Sequence, residues 1–148
     1  MATPTTKLTP KQLIEAAKAP LMAYNAKDWD KVRHSVTTNF IYDEVGTDRK
    51  TQGVDKVISM WKEWAVALPD SKATINASHV SGSTVVLEVT WTGTHSGSLN
   101  LPKGPVAGTG KRINMRGAQV LEITGGKVST QRHYFDMATM LNQLGIKG

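Results

Sequence analysis

Thr84-Val85-Val86-Leu87-Glu88-Val89-Thr90-Trp91-Thr92-Gly93-Thr94-His95 is the stretch from which the fold can be read. It is β-branched, unbroken and alternating. Val85, Leu87, Val89, Trp91, Gly93 and His95 share one face; Thr84, Val86, Glu88, Thr90 and Thr92 share the other. A period of two specifies a strand with one face turned to a core. Ala73 to Val80, Lys111 to Thr124 and Lys127 to Phe135 read the same way. Turns at Ser81-Gly82-Ser83 and Gly125-Gly126, and a Gly- and Pro-rich loop from Ser96 to Gly110, join them.

Upstream of Lys72 the period is near 3.6. Thr9-Pro10-Lys11-Gln12 is a helix start, with Thr9 as N-cap, proline at the first position and Gln12 reaching back. Leu13, Ala17, Leu21 and Tyr24 form its apolar face, and Pro20 predicts a kink or break near Ala19. Asp28 caps a second, short helix. Asn39 to Glu44 reads as a short strand with Phe40 and Tyr42 on one face, and Gly46 to Gly53 as a polar loop. A third helix carries Val54, Val57, Ile58, Trp61 and Ala65 and ends at Pro69-Asp70. Met137, Met140, Leu141 and Leu144 make a last short helix, with Gly145 as its C-terminal cap. Three helices followed by a long meander give an α+β domain with helices on one face of an antiparallel sheet. Strands this long must twist and curl, leaving a cone-shaped cavity suited to a ligand.

With 148 residues, 39% of them hydrophobic, the chain makes one domain over 9–148 behind a flexible terminus over 1–8. No cysteine means no disulfide and no thiolate metal site. The four histidines lack metal-ligand spacing, so no metal is expected. The lack of a long apolar run or apolar leader predicts a cytoplasmic protein with no membrane partner. The net charge of +6 is interleaved rather than clustered, as in Lys27 to Arg33 with Asp28 and Asp30 between. That describes a solvated surface, not a nucleic-acid site.

Arg132-His133-Tyr134-Phe135-Asp136 gathers the candidate chemistry. Asp136 has two readings: N-cap of the last helix, or a general acid/base in an apolar wall that raises its pKa. Alternation puts Asp136 and Tyr134 on one face, taken as the cavity side, and His133 and Phe135 on the other unless a bulge intervenes. His133 is then expected at the rim or surface. His95, sharing a face with Trp91, is either pocket lining or a satisfied core histidine. Tyr134, His95, Gln119 and His133 are candidates to polarise or orient a substrate. Tyr24, Phe40, Tyr42, Trp61, Trp64, Trp91 and Met115 are the expected pocket residues.

Several motifs in order along the chain carry a family resemblance. They are Asn25-Ala26-Lys27-Asp28-Trp29, Gly53, Trp61 to Asp70, Gly93-Thr94-His95-Ser96-Gly97 and Gly108-Thr109-Gly110-Lys111. Gly125-Gly126-Lys127, Tyr134-Phe135-Asp136 and Gln143-Leu144-Gly145 complete the set. In these the chain resembles the SnoaL-like polyketide cyclases of the nuclear transport factor 2-like superfamily. The resemblance implies a cystatin-like cone: a curved, mostly antiparallel sheet wrapped on about three helices around a pocket. It implies a cofactor-independent enzyme closing a ring by an aldol-type step, or a related isomerase or dehydratase. Its ligand would be a small hydrophobic carbonyl compound, with Asp136 as general acid/base, and the protein a homodimer through the outer sheet face. The alternative from another class is a non-catalytic ligand-binding or dimerisation module. The chain is also similar to limonene-type epoxide hydrolases, whose last strand ends in Arg-x-Tyr-Phe-Asp. Those need an Arg-x-Asp on a neighbouring strand, and neither Val89 to Gly93 nor Met115 to Gln119 supplies one. Epoxide hydrolysis by that route is not expected.

Overall fold

Helix α1 (Pro10–Asn25) begins with the reciprocal pair its sequence predicts. Thr9 Oγ1 accepts from the Gln12 amide at 3.1 Å, and Gln12 Oε1 accepts from the Thr9 amide at 2.9 Å. The computed structural model describes residues 7–147, so all but Lys7 and Leu8 of the expected loose terminus lie outside it. Of the kink or break expected near Ala19, the break does not occur: α1 runs continuously through Pro20. Ala17, Pro20, Leu21 and Tyr24 are all buried there, and packing of that face outweighs the lost donor. Helix α2 (Trp29–Ser35) is capped by Asp28, which accepts from the Lys31 amide. Helix α3 (Val54–Ala67) and helix α4 (Met137–Leu144) complete the set; Gly145 ends α4 at φ 70°, the left-handed region that favours glycine.

The strands are β1 (Val36–Glu44), β2 (Arg49–Gln52), β3 (Lys72–Ser81), β4 (Thr84–Thr94), β5 (Leu99–Leu101), β6 (Gly104–Val106), β7 (Arg112–Thr124) and β8 (Lys127–Tyr134). Six form one sheet in the order β2-β1-β8-β7-β4-β3, with β1–β8 parallel and every other pair antiparallel. Two segments expected to be loops contain strands. Residues 46–53 hold part of a 3-10 turn (Val45–Thr47) and the edge strand β2, whose polar sequence gives no alternation. The Gly- and Pro-rich stretch after β4 folds into the β5–β6 hairpin.

One irregularity decides the site. Between β7 and β8 the register steps from Glu122–Thr130 to Ile123–Val128, so Ser129 is an extra residue. Such a bulge changes which face later side chains take. Two buried clusters fill the resulting α+β cone. The larger joins α1 and α3 to the sheet; the smaller lies between the end of α3, β5, β7 and α4. Among the described residues no helix is long and apolar enough to cross a membrane.

Candidate active site

A cavity lies on the inner face of the sheet, walled by α1, α3 and α4. About 80 Å³ of it can hold the centres of water molecules; the atom-free space, counted out through its mouth, is about 670 Å³. Since one water needs about 10–15 Å³ on the first measure, the enclosed part takes several waters or a small organic molecule. Its walls are mainly apolar, with aromatic rings prominent among them. Trp61 meets Tyr24 and Tyr42 edge-on at 6.0 and 5.4 Å between ring centroids, and Tyr24 meets Trp91 at 5.6 Å.

Strand β1 brings Phe40, Tyr42 and Glu44 inward by simple alternation. Glu44 is 1% exposed, yet its carboxylate is fully engaged. Oε1 accepts from the Thr47 hydroxyl at 2.6 Å and from Arg49 Nη2 at 3.1 Å. Oε2 accepts from the Tyr42 hydroxyl and the Trp64 indole, both at 3.0 Å. A carboxylate has about four acceptor sites, and here four donors take them.

The Tyr42 oxygen also lies 2.8 Å from His133 Nδ1. Its single proton goes to Glu44, so Nδ1 must carry a hydrogen and donate it to Tyr42. On the other side of the ring, Nε2 accepts from the Trp91 indole at 3.1 Å. The network therefore fixes one neutral tautomer of His133. Burial points the same way, pulling its pKa down to about 3. Burial, reinforced by the Glu44 charge, holds the Tyr42 hydroxyl well above the usual phenol range. At the far wall Tyr24, raised to about 12 by burial, shares a 2.6 Å hydrogen bond with Ser71.

Asp136 is not in the cavity. It is exposed at the start of α4, where Oδ1 accepts from the Ala138 amide at 3.0 Å and Oδ2 from the Thr139 hydroxyl at 2.8 Å. Those bonds hold its carboxyl below the ordinary range, opposite to what a base in an apolar wall requires. Tyr134 is likewise outside, 43% exposed. The expected facing is thus reversed, and the Ser129 bulge is the reason. Counted from buried Val128, uninterrupted alternation turns Tyr134 and Asp136 inward; the extra residue substitutes Gln131, His133 and Phe135.

Of the other candidates, Tyr24, Tyr42, Trp61, Trp64, Trp91, Met115 and Gln119 line the cavity. Phe40 does not: it packs edge-on against Trp61 in the core. Nor does His95, which is fully buried at the end of β4 with Nδ1 accepting from the Thr109 amide at 3.2 Å. The reading of the sequence missed Glu44 and Gln131. The Phe40–Tyr42–Glu44 alternation signals the first; only the bulge reveals the second.

A model of the SnoaL-like polyketide cyclase family matches residues 14–144. No curated protein sequence matches the chain. A candidate SnoaL-like polyketide cyclase from Jannaschia sp. CCS1 is similar in structure at a TM-score of 0.82 and 17% identity, over 97% of this chain and 100% of that one. A protein of ketosteroid isomerase-like fold from Catenulispora acidiphila superposes at 0.76 and 16% identity, over 95% and 96% of the two chains. An epoxide hydrolase of LEH-like type from M. tuberculosis does so at 0.70 and 21%, over 90% of each. At these identities the structural likeness carries the fold alone, whereas the family match spans most of the chain. The chain belongs to the SnoaL-like polyketide cyclase family.

Proposed function

We propose that the chain is a cofactor-independent acid–base enzyme acting on a small apolar carbonyl compound, with His133 rather than Asp136 transferring the proton. The observation that carries this reading is the row Glu44–Tyr42–His133 on the cavity wall, linked at 3.0 and 2.8 Å. His133 Nε2 takes the proton from the carbon next to the carbonyl, displacing the Trp91 indole from that lone pair. The imidazolium so formed is held through Tyr42 by the buried Glu44 charge, as a third group supports the base in a triad, and by the enolate it faces; these two negative charges offset the burial that keeps the free ring neutral. The enolate oxygen is met by the Gln119 amide, and His133 returns the proton to the product. Ring closure and isomerisation both begin with this step, and the family match supports either. Hydrolysis of an epoxide lacks support, since β4 and β7 hold no Arg-x-Asp.

A non-catalytic ligand-binding module is the second reading. It is favoured by one observation: both nitrogens of His133 are already engaged, by Tyr42 and Trp91.

Deuterium exchange decides between them. Small ketones with acidic α-protons are incubated with the protein in D2O and followed by NMR. Wild type should exchange the α-position, Asp136→Asn should match it, and His133→Phe should fall to the rate of buffer. A wild type that binds the ketones without exchanging them supports the binding module.

A further inference from the structure

We infer that the ligand of this cavity is uncharged, and that Gln119 and Gln131 together anchor it. The inference rests on reading the cavity as the ligand site, but not on proton transfer. Gln119 on β7 and Gln131 on β8 are 1% and 3% exposed, and both line the cavity. Among the described residues, the buried side-chain oxygen of each has no hydrogen-bond partner. A buried amide left unpaired is costly, so two in one cavity wall mark a place where water or a ligand completes the bonding.

Register brings the two together. Gln119 pairs with His133 across β7–β8, and Gln131 precedes His133 by two residues on the same face. Diagonal neighbours of this kind lie about 7–8 Å apart, within the span of one small molecule. Each amide offers a donor and an acceptor, so the pair suits a ligand with a carbonyl and a hydroxyl on one or two rings.

Charge sets the remaining condition. Although the chain carries 18 Lys and Arg against 12 Asp and Glu, no cationic side chain among the described residues lines the cavity. An anion would enter unpaired. The one carboxylate among the described lining residues is Glu44, whose oxygens are already taken by Arg49, Thr47, Tyr42 and Trp64. Neither sign of charge would find a free counter-ion in the wall, and apolar surroundings penalise that heavily.

The test uses three probes of one skeleton at pH 7, with affinity measured by calorimetry: 3-hydroxyacetophenone (neutral), 3-hydroxybenzoate (anion) and 3-hydroxybenzylamine (cation). The neutral probe should bind wild type at least tenfold more tightly than either charged one. Gln119→Met and Gln131→Met should each weaken it about tenfold with the fold intact. The inference is overturned if the neutral probe fails to bind at millimolar concentration, if a charged probe binds as well, or if both methionine variants bind like wild type. Should a variant fail to fold, the comparison of the three probes on wild type still decides the charge condition. Neutral binding that depends on both glutamines, without α-carbon exchange, sinks the proton-transfer proposal and leaves this one standing.

Discussion

Replacing Tyr42 with Phe removes one oxygen and no carbon, so the packing of a 3%-exposed ring is kept while its bonding is lost. Two bonds disappear. The first is the donation to Glu44, and a hydrogen bond to a charged group contributes about 1.5–3 kcal/mol. The second leaves the His133 Nδ1–H buried without an acceptor, at a cost of about 1–3 kcal/mol. Glu44 keeps its three other donors, which puts the total toward the low end, about 3 kcal/mol. For a domain of this size that lowers Tm by about 6–12 °C. Urea unfolding by linear extrapolation measures the free energy, with Tyr134→Phe as control. Tyr134 is 43% exposed, and its loss should stay within about 0.5 kcal/mol. A loss below about 1 kcal/mol for Tyr42→Phe would refute the bridge between Glu44 and His133.

Other outcomes follow from the same geometry. His133 titrates near 3 when folded and near 6.5 when unfolded, so its neutral form stabilises the fold fully above pH 6.5. That contribution is lost progressively as pH falls toward 3, amounting to about 2 kcal/mol at pH 5; His133→Phe should shrink the difference in stability between pH 7 and pH 5 by this amount. Asp136→Ala should lower Tm by removing the α4 cap, and Asp136→Asn by less, since an amide oxygen still accepts from Ala138; neither should alter binding in the cavity. Gly46→Ala would place a Cβ 2.7 Å from the Phe135 carbonyl oxygen and 2.9 Å from its ring. It should cost about 1–3 kcal/mol in chemical denaturation and, because Phe135 lines the cavity, change the affinity for probes as well.

The fold was legible because its signals are local. The β4 alternation, the Thr9 capping box and the Gly145 stop each depend on residues a few positions apart, and each appears where the pattern puts it. Strand β2 was hidden because an edge strand with two exposed faces carries no hydrophobic period. The facing of the last strand was hidden for a different reason. A bulge at Ser129 arises from how β8 lies against β7, and Lys127 to Asp136 contains no glycine or proline to announce it. One extra residue turned His133 into the cavity and left Asp136 outside it. Glu44 stood on the same face as Phe40 and Tyr42 in the sequence, but the donors that make a buried carboxylate tolerable come from Thr47, Arg49 and Trp64, which no spacing rule connects.

The most direct test of the account is the nitrogen NMR of the His133 imidazole as pH is lowered from 7 to 5, assigned by comparison with His133→Phe. A neutral ring protonated at Nδ1 and unprotonated at Nε2, unchanged across that range, is the predicted result. A ring that gains its second proton near pH 6.5, or one that carries its hydrogen on Nε2, would contradict it.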